Sequence, residues 1–215
     1  WILNENRNRN NRLVFDNNFK NVKIDSFLMS HNSEQIKLFG ELRDSTYKDI
    51  KLNFKDVDLA KITPSIDSLD LRGNVNGKLD VFQQNGLYLP DANITVDDLE
   101  INKLVLGSFD AQIRGNESLT NYSVYAKIKD DANESFSAIG IIDVASNVST
   151  IDVDLNFNNF NLSPLNPFLS GILTNIRGDV TGVARVEGSL KKPQLNGDLV
   201  LNNSGLTVPY LNVDF

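Results

Sequence analysis

The chain has 215 residues, a formal net charge of -7 and no cysteine. The acidic balance argues against a nucleic-acid partner, because binding to phosphates requires concentrated Lys and Arg. The lack of cysteine excludes disulfides and thiolate metal sites. No apolar run reaches the length of a membrane-spanning helix. The length is sufficient for one all-β unit or for two small domains, and composition does not decide between them.

Strand patterns dominate the chain after the polar, Asn-rich residues 4–12, which predict a loop. Alternation of apolar and polar residues begins at Val22 and is clearest from Ile50 to Phe54. Residues 59–68 break that period with a proline and with apolar residues at helical spacing, and so predict a short helix or turn. A long strand is predicted to follow.

The last forty residues, 176–215, have the most regular pattern of the chain. From Val180 to Val186 apolar or small residues alternate with polar ones, so one face of this strand is apolar and the other is polar. The pattern resumes at Leu199 and Leu201. We predict three strands joined by turns, with the apolar face as the functional surface.

The sequence repeats itself with a period of about 100 to 105 residues. Residues 52–54 (LNF) recur as residues 155–157, and residues 72–77 recur as residues 177–182. Recurrence at a fixed period is typical of repeated structural units, which stack so that neighbours complete one another's core.

The helix-like residues 59–68 correspond in this comparison to residues 162–171. We therefore expect a first β repeat at residues 1–115 and a second at residues 116–215, each with one short helix. Together they are expected to form one continuous elongated domain.

The apolar face of these strands has two interpretations. Alternating apolar residues usually point into an ordinary core, between two packed sheets or inside a closed barrel. Alternatively, a single long sheet is bent so that its apolar face lines a groove open to a ligand. Periodicity is the same in both cases and leaves both open.

The candidate residues of this face share the parity of their strand neighbours. They are Ile50, Leu52, Phe54, Val75, Leu79, Val81, Ile94, Val96, Val124, Ile128, Ile151, Val153, Leu155, Phe157, Val180, Val186, Leu199 and Leu201. By contrast, Phe39, Phe82 and Val183 have the opposite parity and indicate bulges or a second contact surface.

No catalytic residue, metal site or cofactor is predicted, and we expect the chain not to be an enzyme. The single histidine, His31, lies in a polar turn and has no second His or Cys to complete a triad or a metal site. Asp152, Asp154 and Asn156 imitate the start of a calcium loop, but Phe157 stands where that loop requires Gly. No phosphate-cradling glycine loop or dinucleotide fingerprint occurs.

Residues 178–201, GDVTGVARVEGSLKKPQLNGDLVL, resemble the repeated signature of the TamB family. That signature is a Gly-rich strand, a Gly, a short gap, a Pro, an apolar residue, and then Gly with an alternating strand. Residues 161–171 resemble the family's short helix ahead of this strand, and residues 206–211 resemble what often follows it. The first copy departs from the signature at residues 83–86 and 92–94.

The resemblance implies an all-β fold with an elongated, curled sheet, a β-taco with an open hydrophobic groove. It implies a fragment of a larger bacterial chain, similar to the AsmA-like group, in the periplasm of a diderm bacterium. The chain is expected to be anchored in the inner membrane through an N-terminal segment outside this fragment and to reach the outer membrane. The implied function is phospholipid transfer between the two membranes in support of outer-membrane assembly and protein secretion. The implied partners are phospholipid and a barrel-type outer-membrane insertase.

The alternative hypothesis is a protein-interaction scaffold that pairs with this insertase through a packed β core without a lipid path. Large side chains filling the interior favour the scaffold, whereas a continuous apolar lining favours lipid transfer. A surface adhesin or carbohydrate-binding module is a further alternative, but it requires exposed aromatic platforms, and Trp1 is the single tryptophan.

Overall fold

The computed structural model describes residues 1–3, 11–44, 46–63, 69–84, 87–130, 133–144, 148–170 and 172–215. The loop predicted over residues 4–12 falls mostly outside these ranges, and Arg12 already belongs to a strand. The strand pattern predicted from Val22 onwards is confirmed, because strand follows strand through nearly all of the described chain.

Strands make up most of the described residues, as the alternating sequence pattern predicts. They are β1 (Ile2–Leu3), β2 (Arg12–Phe15), β3 (Asn21–His31), β4 (Glu34–Arg43), β5 (Tyr47–Asp58), β6 (Leu71–Gln84), β7 (Leu87–Ile101), β8 (Leu104–Gly115), β9 (Asn121–Asp130), β10 (Asn133–Asp143), β11 (Thr150–Asn161), β12 (Thr174–Ser189), β13 (Lys192–Val208) and β14 (Val213–Asp214).

Within the described ranges, two short helices interrupt the strands, α1 (Leu59–Ile62) and α2 (Asn166–Leu169). A 3₁₀ turn, Ser163–Leu165, leads into α2, and another, Pro209–Leu211, precedes β14. The helix predicted within residues 59–68 is α1, and residues 64–68 of that segment lie outside the described ranges.

All of these strands belong to one antiparallel sheet in which neighbours along the chain are neighbours in space. From β3 to β14 each strand is hydrogen-bonded to the next, while β1 and β2 both pair with β3. The sheet is open and does not close into a barrel. The prediction of an all-β fold with a curled, open sheet is therefore confirmed.

Part of one face of the sheet is buried although a single layer of strands forms it. Val57 is 0% exposed and Val180 is 2% exposed. The described residues place no second sheet over them, so the sheet must curl around its own face, with helical segments covering one end. We call the face that carries these valines the inner face and the opposite one the outer face.

The strands end at two margins of the sheet. The helical margin carries α1 and α2. The turn margin is the opposite end of the strands, where residues 116–120 connect β8 to β9 and residues 190–191 connect β12 to β13. The buried core cluster of the inner face, which includes Val57 and Val180, packs against α1 and against Leu162 beside α2.

A bulge precedes each helix. The pairing shifts register between Phe54 and Val57 on β5, and between Phe157 and Phe160 on β11. A bulge inserts one residue, bends its strand and increases the local twist. Because of the inserted residue, Val57 and Phe160 lie on the inner face although each follows its phenylalanine by three positions instead of two.

Candidate functional site

The register places all of the sequence-predicted candidate residues on the inner face. Residues paired across an antiparallel sheet point to the same side. Leu52 lies opposite Leu79, and Val153 lies opposite Val186. Pairs of this kind connect Ile50, Leu52, Phe54, Val75, Leu79, Val81, Ile94, Val96, Val124, Ile128, Ile151, Val153, Leu155, Phe157, Val180, Val186, Leu199 and Leu201 without a change of face.

The solvent exposure of these residues differs along the sheet. Most are half-buried, and the fully buried ones are Val75, Val96, Ile128, Val153 and Val180. Leu199 and Leu201 are 41% and 61% exposed. Both lie on β13, which pairs with β14 only at Thr207 and Val208, so few neighbouring side chains cover them.

Three rows of paired residues cross the inner face at right angles to the strands. Of these three rows, the one on the side of the helical margin has large side chains from β5 to β11, Val57, Val75, Val96, Phe109, Ile128, Phe136 and Phe157, and it continues with Gly182 on β12 and Leu199 on β13. The next row has mostly small ones: Gly77, Ile94, Ala111, Ala126, Ala138, Leu155, Ala184 and Gly197. The third is mainly large: Leu52, Leu79, Ala92, Ile113, Val124, Gly140, Val153 and Val186. We call the small-residue row between the two larger rows the furrow.

Two glycines allow adjacent strands to approach closely at the furrow and beside it. Gly77 has φ +120° and Gly182 has φ +139°, backbone conformations that residues with a side chain rarely adopt. A methyl group at Gly77 would overlap the carbonyl oxygen of Asn93, and one at Gly182 would overlap that of Asp198. Glycine is therefore required at both positions for the strands to curl as they do.

A buried carboxylate fixes α1 at the helical margin. Glu34 is 6% exposed and accepts hydrogen bonds from the Lys61 ammonium, at 2.8 Å, and from the Asp58 backbone N–H, at 2.9 Å. The hydrogen bond from Lys61, followed by that from Asp58, lowers the pKa of Glu34. Leu59 and Ile62 of α1 pack against the buried core below them. Thus α1 covers the helical margin of the inner face.

A neutral amide fixes the segment of α2. Asn166 donates from Nδ2 to the carbonyl oxygens of Ser163, at 2.9 Å, and Ile176, at 2.7 Å. Its Oδ1 accepts from the Ile176 N–H at 2.8 Å. Leu162, just before the 3₁₀ turn, packs against the core cluster in the manner of α1.

The turn margin of the inner face holds two buried polar side chains. Gln83 is 6% exposed and follows Val81 on β6, and Tyr122 is 4% exposed and lies opposite Gly115 and Ile142. Gln83 Oε1 and the Tyr122 hydroxyl oxygen have no hydrogen-bond partner in the described part of the chain. Burial raises the pKa of Tyr122, so its phenol stays neutral and keeps a proton to donate.

The outer face is polar in most places and carries exposed ion pairs. Arg185 donates two hydrogen bonds to Asp152, at 2.7 and 2.6 Å, and lowers the pKa of that carboxyl. Both side chains are about half exposed, so the pair adds little to stability. A cavity of about 550 Å³ opens on this face beside Ile139 and Val183, which are exposed. Sequence reasoning did not predict this cavity.

Groups suited to metal or membrane roles are not evident in the described ranges. No three His, Asp or Glu side chains there are placed to hold a metal ion. His31 is exposed at the end of β3, with its ring 6.1 Å from the ring of Trp1. Likewise, none of the helices described is long and apolar enough to cross a bilayer.

Comparison with models of known protein families identifies the family of this chain. The family model described as TamB, N-terminal domain, matches residues 4–201. The chain belongs to the TamB family. TamB proteins are bacterial envelope proteins involved in outer-membrane assembly. The resemblance read from residues 178–201 is thereby confirmed, whereas comparisons with curated proteins and with solved structures gave no match.

The TamB signature did not reveal the small residues of the inner face. Ala111, Ala126 and Ala138 occupy the furrow, yet a short side chain contributes little to an alternating hydrophobic pattern. The signal that would have found them is parity, because Ala126 lies midway between the candidates Val124 and Ile128.

Several other inner-face residues were missed for different reasons. Val57 and Phe160 were missed because a bulge shifts each of them out of phase with its strand. Gln83 and Tyr122 were missed because a polar or amphipathic residue at an apolar position reads as a break in the pattern. The residues of opposite parity, Phe39, Phe82 and Val183, lie on the outer face.

Proposed function

We propose that this TamB-family chain forms a hydrophobic groove for phospholipid transfer between the inner and outer membranes, and so supports outer-membrane assembly. The observation that carries the proposal is the inner face, which is apolar across the sheet and has no second sheet over it among the described residues. The proposed role requires no catalytic residue, metal or cofactor, and we propose that the chain is not an enzyme.

The energetics of lipid movement explain the use of such a face. Burial of a methylene group is worth about 0.8 kcal/mol, so drawing an acyl chain of about sixteen carbons through water costs on the order of 12 kcal/mol. A continuous apolar surface lowers this cost because part of the acyl chain stays out of water at every step.

The dimensions of the furrow suit an acyl chain. The furrow crosses eight strands, β6 to β13, and adjacent strands lie about 4.8 Å apart, which gives a length of about 34 Å along the sheet. The hydrocarbon core of a bilayer is about 30 Å thick, so an acyl chain in one leaflet spans about 15 Å. The furrow is long enough for two acyl chains end to end.

The sequence repeat supports a groove whose length grows as similar β repeats follow one another along the chain. We propose that residues 1–115 and 116–215 are two copies that form one continuous elongated domain. The bulge before α1 and the bulge before α2 fall at corresponding positions, and each is followed by a glycine of positive φ, Gly77 or Gly182.

The proposed location is the periplasm, with an inner-membrane anchor outside this fragment and reach to the outer membrane. The proposed partners are phospholipid and a barrel-type outer-membrane insertase. The alternative of a scaffold with a packed β core is less well supported, because the described strands form a single open sheet and not two packed layers.

The experiment that tests the proposal is photo-crosslinking in cells, with mass analysis of the adducts. A photoreactive residue at Leu155 in the furrow is expected to give a phospholipid adduct. The same residue at Asn156, exposed on the outer face of β11, is the matched control and is expected to give none. Protein adducts alone at Leu155, in a folded chain, would favour the scaffold.

A second variant tests whether lipid occupies the furrow itself. Ala138→Phe places a large apolar side chain between Ala126 and Leu155 without adding charge. It is expected to reduce the lipid adduct at Leu155 several-fold. Ile139→Phe, on the exposed outer face of the same strand, is expected to leave the adduct unchanged.

A further inference from the structure

The cavity of about 550 Å³ on the outer face lies over β11, between exposed apolar side chains of the two neighbouring strands. Ile139 on β10 and Val183 on β12 line it and are 57% and 58% exposed. Two steps between strands, about 10 Å, separate β10 from β12, so an alkyl chain in van der Waals contact with both side chains fits between them. The volume is typical of sites for small ligands.

A buried hydroxyl group lines this cavity without a partner in the described part of the chain. Ser137 is 8% exposed and lies opposite Asn156 on the outer face. Its hydroxyl makes no hydrogen bond to any of the described residues. Buried polar groups in proteins are nearly always hydrogen-bonded, because an unpaired one lowers stability. The Ser137 hydroxyl therefore indicates a polar group that enters the cavity and bonds to it.

The charges around the cavity determine the sign of that group. Arg185 is the one cation among the described residues that line the cavity, and its guanidinium already donates two hydrogen bonds to Asp152. Asp154 and Glu187 lie 3.9 and 3.8 Å from Arg185 Nε, so three carboxylates surround one guanidinium. The Asp154 side chain lines the cavity and is 76% exposed. The excess of negative charge favours a cation in the cavity.

We infer that this cavity binds an alkylammonium group, an ammonium carried on a short hydrocarbon chain, as in a lysine side chain or a polyamine. The hydrocarbon chain packs between Ile139 and Val183. The ammonium donates hydrogen bonds to a carboxylate oxygen of Asp154 and to the hydroxyl oxygen of Ser137. Lysine side chains have this combination of an apolar stem and a charged end.

Other classes of ligand fit these groups less well. An ammonium has three N–H donors and no acceptor, and the groups available to it are acceptors. Asn196 Nδ2 donates to Glu187 Oε1 at 3.2 Å, which leaves Asn196 Oδ1 as a further acceptor on a residue that lines the cavity. An anionic ligand would be repelled by Asp154, and an apolar one would leave the Ser137 hydroxyl unpaired. The inference concerns the face opposite the proposed groove and does not rest on lipid transfer.

The test uses three small probes and NMR spectra of the ¹⁵N-labelled protein. The probes are cadaverine, N-acetyl-lysine methylamide and N-acetyl-norleucine methylamide, which has the side-chain carbons of lysine without the ammonium. The ammonium probes are expected to shift the backbone amide signals around Ser137, Asp154 and Val183 with saturation, and the norleucine probe is expected to leave them unchanged. Saturation by the lysine derivative would identify a lysine side chain of another protein as a source of the group. Saturation by cadaverine alone would identify a free polyamine.

Two variants remove the hydrogen-bonding groups one at a time. Asp154→Asn is expected to weaken binding of the ammonium probes about 5- to 10-fold, and Ser137→Ala about 3-fold, as each loses one hydrogen bond. The matched control is Asp91→Asn, which removes the same charge from an exposed position on the outer face of β7, opposite Asp80. It is expected to bind the probes as the wild type does.

Three results would overturn the inference. The first is that neither ammonium probe shifts the signals around the cavity. The second is equal weakening by Asp154→Asn and Asp91→Asn, because this would show a general attraction of cations to an acidic surface. The third is equal binding of the norleucine probe, because the ammonium would then play no part. None of these results would contradict the proposed groove on the inner face.

Discussion

The two bulged segments of the sheet, β5–α1–β6 and β11–α2–β12, have the same backbone arrangement. Phe54 lies opposite Gly77 in the first, and Phe157 lies opposite Gly182 in the second. Each bulge contains a left-handed residue with a short polar side chain, Asp56 with φ 49° or Asn159 with φ 48°. Asp and Asn adopt this conformation more readily than other residues with a side chain.

A side chain on the next strand supports each bulge. The Asp56 N–H donates to Asn76 Oδ1 at 2.9 Å, and the Asn159 N–H donates to Thr181 Oγ1 at 3.0 Å. Different side chains thus satisfy the same exposed backbone donor. The two segments are alike in which backbone N–H group needs a hydrogen-bond acceptor. They differ in the residue that provides that acceptor.

The segments differ in how their helices are held. Glu34 and Lys61 fix α1 through an ion pair, whereas Asn166 fixes the segment of α2 through neutral hydrogen bonds to Ile176. Both arrangements close the helical margin of the inner face. Glycines and bulges, which both segments share, therefore set the curl of the sheet. The helical margin can be covered equally well by a segment held through an ion pair or through neutral hydrogen bonds.

The largest expected effect comes from the glycines, because both segments depend on them. Gly77→Ala is expected to lower the free energy of unfolding by about 3 kcal/mol, from backbone strain and overlap with the next strand. Gly182→Ala is expected to cost about 2 kcal/mol, because the strand it would displace, β13, is paired on its far side only near its end. Denaturant unfolding measures both.

Gly188→Ala is the control for these two variants. Gly188 also has a positive φ, 100°, but a methyl group there meets no atom closer than 3.9 Å. Its cost is expected to be about 1 kcal/mol, from strain alone. Equal costs at all three positions would show that close approach of the strands is not what requires glycine.

The two helix anchors are expected to respond differently to pH. Ionised Glu34 stabilises the fold while its pKa is lowered in the folded state, and this contribution is lost as the pH falls from the ordinary value of 4.5 through the lowered one. Glu34→Gln is therefore expected to reduce the melting temperature at pH 7, with a difference from wild type that shrinks below pH 4.5. Asn166→Ala is expected to cost about 2 kcal/mol at every pH, because it leaves buried backbone groups of Ile176 unpaired.

Glu41→Gln is the control for the ionic anchor. Glu41 pairs with Arg43 on the surface, where both side chains are more than one third exposed, so its loss is expected to change the melting temperature little. A pH-independent difference for Glu34→Gln would mean that the carboxylate charge does not hold α1.

The overall fold was predictable from the sequence, whereas the details of the inner face were not. Alternation predicts strands and assigns residues such as Leu52 and Val153 to one face, since parity within a strand needs no knowledge of the partner strand. The burial of a residue depends on which side chains pack against it, and parity does not predict these. Val180 and Leu201 pair with each other, yet they are 2% and 61% exposed. Parity also fails after a bulge, which is why Phe160 escaped prediction.

The smallest expected effect concerns the side chains that support the bulges. Thr181→Val removes the acceptor of the Asn159 N–H, and Asn76→Leu removes that of the Asp56 N–H; each is expected to cost about 1 kcal/mol by denaturant unfolding. The two costs are expected to add in the double variant, because the sites share no partner. Additive and similar costs would mean that both segments use the same structural device independently, as is expected of the proposed tandem copies. If only Thr181→Val lowered stability, side-chain support of the bulge would be restricted to the second segment. The two segments would then resemble each other in sequence but not in how their bulges are stabilised.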